Sequence, residues 1–469
     1  MSSILAFYSL VVLGYYIALQ IVMLLLGLGS AVALYRERMV ERFGRLEDML
    51  DSDLAPPVSI VVPAYNEAAG IVDAIRSMTM VSYPRFEIVV TNDGSTDDTL
   101  AKLIDAFELI PVPYPLRANL ATAPIRQVYK SRLPIALTVV DKENGGRADA
   151  LNAAINAARY PYVMATDADV LIDGRALVHA MRHIAEDRGR TIAVGGNVRP
   201  INGCTVKQGH LVSATVPETM IERYQLLEYL RAFIAARPAW SSINALPLLS
   251  GAFGVFRRDS VVEVGGFSPG HFGEDLDLTM RIHRHYRNAR IPYRMVYSPA
   301  AVVWTEVPPT RAILRRQRIR WHRGLMTAVK DFKSSFLNPR HGPVGMVSWP
   351  SMVLFEYLAP AIEFLGYIII PIALLTGAIP PLTVAILFLI ALLIGAINSL
   401  FALLLDERFG YFNDPRETIK LLAVVFVENL GLRQMTVWWR VRAMFGGKTT
   451  KVWGDMERRG ITQLGSKAS

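Results

Sequence analysis

At 469 residues the chain exceeds a single ordinary core, and at least two structural units are expected. Its 52% hydrophobic and 19% charged residues point to a protein partly solvated by lipid; a lone cysteine, Cys204, excludes an internal disulfide framework, fits a reducing compartment and reads as core filler. A formal net charge of +9 suits nucleic acid, an anionic bilayer surface or a phosphorylated substrate, and the absence of a nucleic-acid motif leaves the last two.

Residues 4 to 35 carry no charged side chain and are followed by Arg36, Arg38, Arg42 and Arg45. The run is long enough to span a bilayer of about 30 Å, and its basic flank places the next segment in the cytosol. A cleaved signal peptide does not fit, because the basic residues lie on the wrong side of an apolar run that is too long. Residues 1–45 are therefore read as a transmembrane helix with its flank.

After a polar linker ending in Pro56-Pro57, Val58 to Val62 reads as a strand with the loop Pro63-Ala64-Tyr65-Asn66-Glu67 at its end, and a helical period runs to about Met80. A second strand, Phe86 to Thr91, opens onto the stretch Asn92 to Thr99, where Gly94 permits the turn and Ser95 or Asp97 is placed to cap the next helix. A third strand, Ile135 to Val140, leads through Asp141-Lys142-Glu143-Asn144-Gly145-Gly146-Arg147 into a helix from Ala148 to Arg159. The fourth, beginning at Tyr162, ends in Thr166-Asp167-Ala168-Asp169. This alternation predicts an α/β domain with a largely parallel sheet and right-handed crossovers. The proline-bearing insertion between Phe107 and Leu133 has no place in the pattern. The remainder, to about Lys330, is less regular: a helix at Thr219 to Ala235, a strand-like Gly251 to Arg257, the loop Gly273-Glu274-Asp275 opening a helix to about Tyr286, and an arginine-rich helix from Thr310 to Lys330.

From Val344 the sequence is apolar again. Residues 349 to 376 and 382 to 405 are each long enough to span, with Gly377 to Pro381 as the turn of a helical hairpin. Glu356 and Glu363 lie seven apart on one face of the first span, either toward a bundle interior or snorkelling at an interface. Residues 417 to 445 carry Glu428, Arg433, Arg440 and Arg442 and precede a basic tail, so an interfacial helix competes with a third C-terminal span.

Two carboxylates at the carboxyl end of a buried strand, Asp167 and Asp169, suit a hard divalent cation carrying a polyphosphate; an N-cap plus a turn aspartate is the plainer reading. Asn144-Gly145-Gly146 before a helix offers backbone N–H groups to an anion, with Arg147 adding a fixed charge, or is simply a tight strand-to-helix turn. The chain has no GxxxxGK[ST] loop and no GxGxxG after the first strand, which disfavours a P-loop and a dinucleotide fold. Glu274 and Asp275 read as first-turn acids, or as a general base for a sugar hydroxyl. Gln317, Arg320 and Trp321 fall at i, i+3 and i+4 and share one helix face, a stacking platform with donors or part of a core.

Taken together, VSIVVPAYNE at 58–67, Asp93-Gly94-Ser95, NGGRADALN at 144–152, Asp167-Ala168-Asp169, Ser250 to Phe253, Gly273-Glu274-Asp275 and Gln317 to Trp321 come in the order and approximate spacing of the membrane-embedded family 2 glycosyltransferases. That group includes cellulose, hyaluronan, chitin and poly-N-acetylglucosamine synthases, and the resemblance covers residues 58 to about 330. It implies a GT-A-type (Rossmann-like) domain at 56–330, transmembrane and interfacial helices at 331–447 and a basic tail at 448–469. It also implies that Ala64, Tyr65, Glu67 and Asp93 line the nucleotide pocket, that Asp167 and Arg147 contact the nucleotide sugar, and that Asp169 holds Mg²⁺ or Mn²⁺. Asp275 would be the general base of an inverting transfer. Ser250, Gly251, Glu274, Gln317, Arg320 and Trp321 would lie along the acceptor.

Relatives often carry lysine where Arg147 stands, and arginine grips phosphate with a different geometry. The cysteine-glycine acceptor motif and the regulatory domain of cellulose synthases are missing, while WGDMERRG at 453–460 resembles the poly-N-acetylglucosamine synthase branch. The expected protein sits in the plasma (inner) membrane with several passes and a cytosolic catalytic domain. It would take a UDP-sugar donor and extend and export a β-linked polysaccharide, with an accessory membrane subunit left open. The alternative is a single sugar transfer to a lipid such as diacylglycerol.

Overall fold

The computed structural model describes residues 2–43, 55–113, 117, 119–187, 189–207, 209–412 and 414–446, with only the backbone of 2–4 and 40–43. Arg45, the basic tail and the WGDMERRG stretch lie outside the described residues.

The first helix, α1 (Ser2–Phe43), is followed by β1 (Val58–Ala64), α2 (Ile71–Thr79), β2 (Phe86–Asp93), α3 (Thr99–Ala106), β3 (Leu109–Pro111), β4 (Ile125–Ser131), β5 (Leu137–Lys142), α4 (Arg147–Ala157) and β6 (Tyr162–Ala165). Then come β7 (Val170–Ile172), α5 (Ala176–Glu186), β8 (Thr191–Pro200), a short hairpin of β9 (Thr205–Lys207) and β10 (His210–Ser213), α6 (Met220–Tyr229), a π-helical turn Leu230–Ala236 and α7 (Arg237–Ser242). The transferase-like part ends with β11 (Gly254–Arg257), α8 (Arg258–Glu263), α9 (Glu274–Asn288), β12 (Arg294–Thr305) and α10 (Arg311–Asp331).

Ten strands form one sheet in the order β3-β4-β5-β2-β1-β6-β11-β8-β12-β7. Its centre is parallel: β1 pairs with β2 and β6, and β2 with β5. Every residue of β1 is buried, as expected for a parallel strand covered on both faces. The expected largely parallel sheet thus holds at the centre, while β11 runs antiparallel to β6 and β8, and β4 antiparallel to β5. The insertion at 107–133 finds its place here: β3 and β4 extend the sheet at one edge. Its return loop is tied to α4, where Asn156 Nδ2 donates to Leu120 O at 2.8 Å and Leu120 N donates to Asn156 Oδ1 at 3.1 Å.

Among the described residues three helices are long and apolar enough to cross a membrane: Leu5–Met39 within α1, α11 (Val344–Leu375, with π turns at Val344–Ser348 and Val353–Tyr357) and α12 (Pro381–Glu407). Gly377, at φ +65°, makes the turn between the last two. Residues 417 to 445 do not form one rod: α13 (Pro415–Val427) and α14 (Leu432–Phe445) are separated by a break at Gly431, φ +92°. At 13 and 14 residues each is shorter than a span needs.

The two intramembrane glutamates behave differently. Glu363, 4% exposed, receives Arg433 Nη2 at 2.7 Å and Nε at 3.0 Å, the bundle-interior reading. The Glu356 side chain is 47% exposed and meets Arg440 at 3.4 Å. Further polar pairs join the helices to the sheet: Arg199 of β8 holds Asp406 bidentately at 2.6 and 2.7 Å, and Arg231 of the π turn holds Glu428 at 2.7 Å. Cys204 is buried among Leu171, Ile201, Val302 and Trp304, as a core filler should be, and burial pushes its thiol up to about 11.

Candidate active site

The cleft lies at the carboxyl ends of the central parallel strands, where an open α/β sheet places its ligand crevice. Ala64, the last residue of β1, is fully buried and Tyr65 half-buried; the loop that begins there binds the loop after β2. Asn66 N donates to Ser95 Oγ at 3.0 Å, Thr96 N to Asn66 Oδ1 at 2.8 Å, and Glu67 N to Thr99 Oγ1 at 2.9 Å. Ser95 therefore braces its neighbour loop instead of capping α3. Asp97 accepts from Thr99 N at 3.0 Å, while the N-cap residue proper is Asp98, whose side chain makes no cap bond.

The Asn144-Gly145-Gly146 loop does bind an anion, but the anion is Asp93. Gly145 N donates to Asp93 Oδ1 at 3.0 Å, Gly146 N to Oδ2 at 2.7 Å, and Asn144 Nδ2 to the Asp93 carbonyl at 2.8 Å. The parallel register of β2 and β5 sets Asp93 beside Lys142, which corrects the reading of the glycine loop as an open phosphate cradle. Gly94, at φ +67°, completes the fit, since a Cβ there would stand 2.7 Å from Asn144 N. Lys142, which the sequence reading left in a loop, ends β5 with no exposed surface and pairs at 2.6 Å with both Asp93 and Asp149. Neither Lys142 nor Asp149 was singled out from sequence.

Asp167 and Asp169 stand half-buried just past β6. Arg147, the first residue of α4, reaches across: its Nε donates to Asp167 Oδ1 at 2.7 Å, its Nη1 to Glu274 Oε1, and its Nη2 to the Gly251 carbonyl at 2.9 Å. Burial works against this guanidinium's charge, but Asp167 and Glu274 outweigh it and hold its pKa above the ordinary arginine value. The same residue serves Asp275 through its amide: Gly251 N donates to Asp275 Oδ2 at 3.2 Å, and Leu276 N to Oδ1 at 2.9 Å. Gly251 thus joins the acid pair opening α9 to the arginine opening α4, with Ser250 half-buried beside it.

On α10, Thr310 caps the helix by accepting from Ile313 N at 3.4 Å. Gln317 is 8% exposed and its Oε1 has no hydrogen-bond partner among the described residues. Arg320 faces the carboxylates of Asp167, Glu274 and Asp275 without an ion pair to any of them, and burial holds it below the usual guanidinium value. Trp321 is 42% exposed, with Arg318 stacked 4.6 Å from its ring centre. It is an exposed ring and not a core residue. The sequence reading missed Arg237, which lies 3.7 Å over the Phe233 ring with a buried Nη1 that finds no partner among the described residues. Burial lowers its pKa while Asp275 raises it. The π turn preceding it disrupts no apolar pattern, so nothing in the residue types announced it.

A divalent cation fits the residues present. Among the described residues no three His, Cys, Asp or Glu side chains are grouped to hold a metal. Asp169 would hold such a cation, which would supply charge neutralisation at a diphosphate.

Residues 56–324 match the family model described as glycosyltransferase like family 2, more than half of the chain. Similar proteins include the poly-beta-1,6-N-acetyl-D-glucosamine synthase of Staphylococcus aureus (strain COL), 27% identical over 66% of this chain and 64% of its own length. The synthase of the same description from Staphylococcus epidermidis is 26% identical over 66% of this chain and 67% of its own length. The chain therefore spans just under two thirds of the first relative. Among solved structures, the mannosyltransferase PcManGT from Pyrobaculum calidifontis in complex with GDP-Man and Mn²⁺ aligns over 90% of this chain and 99% of its own, at 21% identity and a TM-score of 0.48. S. aureus TarS 1-349 in complex with UDP-GlcNAc aligns over 58% and 66%, at 18% identity and a TM-score of 0.35. With its parallel sheet centre, its cleft at the strand ends and a family match over most of that domain, the chain belongs to glycosyltransferase family 2.

Proposed function

We propose that the chain is a metal-dependent, inverting membrane glycosyltransferase that moves a sugar from a UDP-sugar onto a growing β-linked polysaccharide and passes the polymer through its membrane helices. N-acetylglucosamine is the sugar that the relatives' names favour. The domain at 56–330 would lie in the cytosol against the plasma (inner) membrane, with residues 1–45 and 331–447 forming the membrane part. The observation that carries the reading is Gly251, whose N–H donates to Asp275 and whose carbonyl accepts from Arg147.

The Ala64, Tyr65 and Glu67 loop would receive the uridine, and Asp93 acts from below by fixing the glycine loop. A divalent cation on Asp169 would neutralise charge on the departing diphosphate. Two backbone N–H groups fix the Asp275 carboxylate, which takes the proton of the acceptor hydroxyl as its oxygen attacks the anomeric carbon. The bond to UDP breaks on the opposite face, so one displacement inverts the centre and no covalent enzyme intermediate is needed. Arg320, unpaired in the cleft, supplies a charge that strengthens as negative charge develops on the leaving group. Trp321 offers its exposed ring to the acceptor sugar and Gln317 an unused carbonyl to its hydroxyls.

The test is to incubate purified protein in detergent with UDP-N-acetylglucosamine, UDP-glucose and UDP-glucuronate, measuring UDP release and recovering the product. A polymer made from one donor supports the reading. A chloroform-soluble product with one sugar per lipid would replace it by the lipid transferase, and no UDP release from any donor would refute both.

A further inference from the structure

Gly324 follows Gln317 by seven residues, Arg320 by four and Trp321 by three, so it continues their face along α10. Glycine is the poorest helix former after proline, so its place inside a 21-residue helix calls for a steric reason. The reason lies across the cleft. A Cβ added at Gly324 would stand 2.8 Å from Gly273 N, 3.0 Å from Gly273 Cα and 3.1 Å from the carbonyl carbon of Phe272, all backbone atoms. In the other direction, a Cβ on Gly273 would meet Gly324 Cα at 3.3 Å.

Neither backbone has room to yield. Gly273 N donates to His271 Nδ1 at 3.0 Å, and Gly273 O accepts from Asp277 N at 2.9 Å, which fixes the first turn of α9. On the far side, Leu325 and Ala328 of α10 and Phe332 just past its end are packed with Leu276 and Met280 of α9 in one buried cluster. The turn that carries Glu274 and Asp275 therefore rests directly on the α10 backbone, with no side chain between them.

Resting on the transferase reading, we propose that Gly324 is a positioning residue: its bare backbone contact with Gly273 sets the distance between the Asp275 carboxylate and the acceptor held by Gln317, Arg320 and Trp321. A methyl at this point must open the contact from 2.8 Å toward an ordinary carbon separation, a displacement of about 1 Å. Misplacement of that size costs up to about 100-fold in rate. The uridine-binding loops after β1 and β2 do not cross this contact.

The experiment compares wild type with Gly324→Ala as full-length protein in detergent, using the UDP-sugar that wild type turns over. Sugar transferred, total UDP released, donor Kd and thermal midpoint are read for each. Transfer should fall about 10- to 100-fold, with donor Kd within about twofold. The share of UDP released to water should rise, and the thermal midpoint should fall by a few degrees at most, because forcing the two backbones apart offsets the gain in helix propensity from alanine. A wild-type ratio of transfer to hydrolysis, or equal losses in donor binding and transfer, overturns the proposal. If Gly324→Ala does not fold, Gly273→Ala decides through its milder squeeze: reduced transfer at unchanged donor Kd supports the proposal, and wild-type transfer overturns it. Absence of UDP-sugar turnover in wild type is a separate failure, seen before any variant, and removes the transferase reading together with this one.

Discussion

Lys142 is the most consequential single cation under the cleft. It has no exposed surface, and its ammonium lies 2.6 Å from Asp93 and 2.6 Å from Asp149, both of them buried. Asp93 in turn is the acceptor for Gly145 N and Gly146 N, and Asp149 accepts from Ala123 N of the edge insertion at 3.0 Å. Replacing Lys142 by methionine keeps the volume but leaves two buried carboxylates facing each other. Removing one partner of a buried pair costs about 3–5 kcal/mol, because the remaining charge is uncompensated. At about 2–4 °C per kcal/mol for a domain of this size, the thermal midpoint should drop by about 6–20 °C. The assay is thermal unfolding in detergent, followed by intrinsic tryptophan fluorescence. Adding Asp149→Asn to Lys142→Met should recover part of the loss, since it removes one of the stranded charges. A midpoint within about 2 °C of wild type for Lys142→Met would show that the triad carries no net stabilisation, and the cost assigned to it would be wrong.

Four further outcomes follow from the same geometry. Asp275→Asn keeps one acceptor oxygen, for Gly251 N or for Leu276 N, and cannot take a proton, so transfer should fall by at least about 100-fold with donor Kd unchanged; full retained activity would remove Asp275 from the base role. EDTA should abolish turnover and added Mg²⁺ or Mn²⁺ should restore it; unchanged turnover would contradict Asp169 as a metal ligand. Trp321→Ala should raise the KM for acceptor more than that for donor, measured with a soluble oligosaccharide primer, because the ring is an exposed platform. His283 is buried between Leu246 O at 2.9 Å and Tyr293 Oη at 2.6 Å, and burial lowers its pKa to about 4. The unfolded chain therefore binds this proton first, and stability should be full above about pH 6.5 and decline toward pH 4, by up to about 3 kcal/mol. His283→Gln should flatten that part of a midpoint-against-pH curve.

The central strands and the helices that follow them were legible because each is a short apolar run ending in turn chemistry, and Asp167 and Asp169 stand where the fourth run stops. The strands β8 and β12 were not. Thr191 to Pro200 contains Gly195 and Gly196, which read as punctuation, yet they are strand residues whose missing side chains admit Leu249 and other packing partners; a Cβ on Gly195 would stand 2.6 Å from Leu249 Cδ2. The edge insertion was illegible for a related reason. Its strands are short and half-exposed, and they exist because β5 offers an open edge, a fact of the sheet and not of residues 107–133. The break of 417–445 at Gly431 was written in the residue type, but an apolar run interrupted by arginines fits a bent interfacial pair and a single span equally well until φ at that glycine is known.

Arg147 shows how far residue types alone reach into the site. From sequence it was a phosphate-gripping substitute for lysine, a role argued from its charge. Its three hydrogen bonds go to Asp167, Glu274 and Gly251, which come from three separate stretches of the chain. A planar fork with five donors can serve three acceptors at fixed angles, whereas an ammonium serves them only as a point charge. The departure from lysine is therefore better understood as structural coupling: the residue that begins α4 also orients Asp167, Glu274 and the carbonyl of Gly251, whose own N–H donates to Asp275. A substrate phosphate approaching Arg147 must compete with partners already in place, whereas Arg320 is the one arginine of the Gln317 to Trp321 stretch without an ion pair among the described residues.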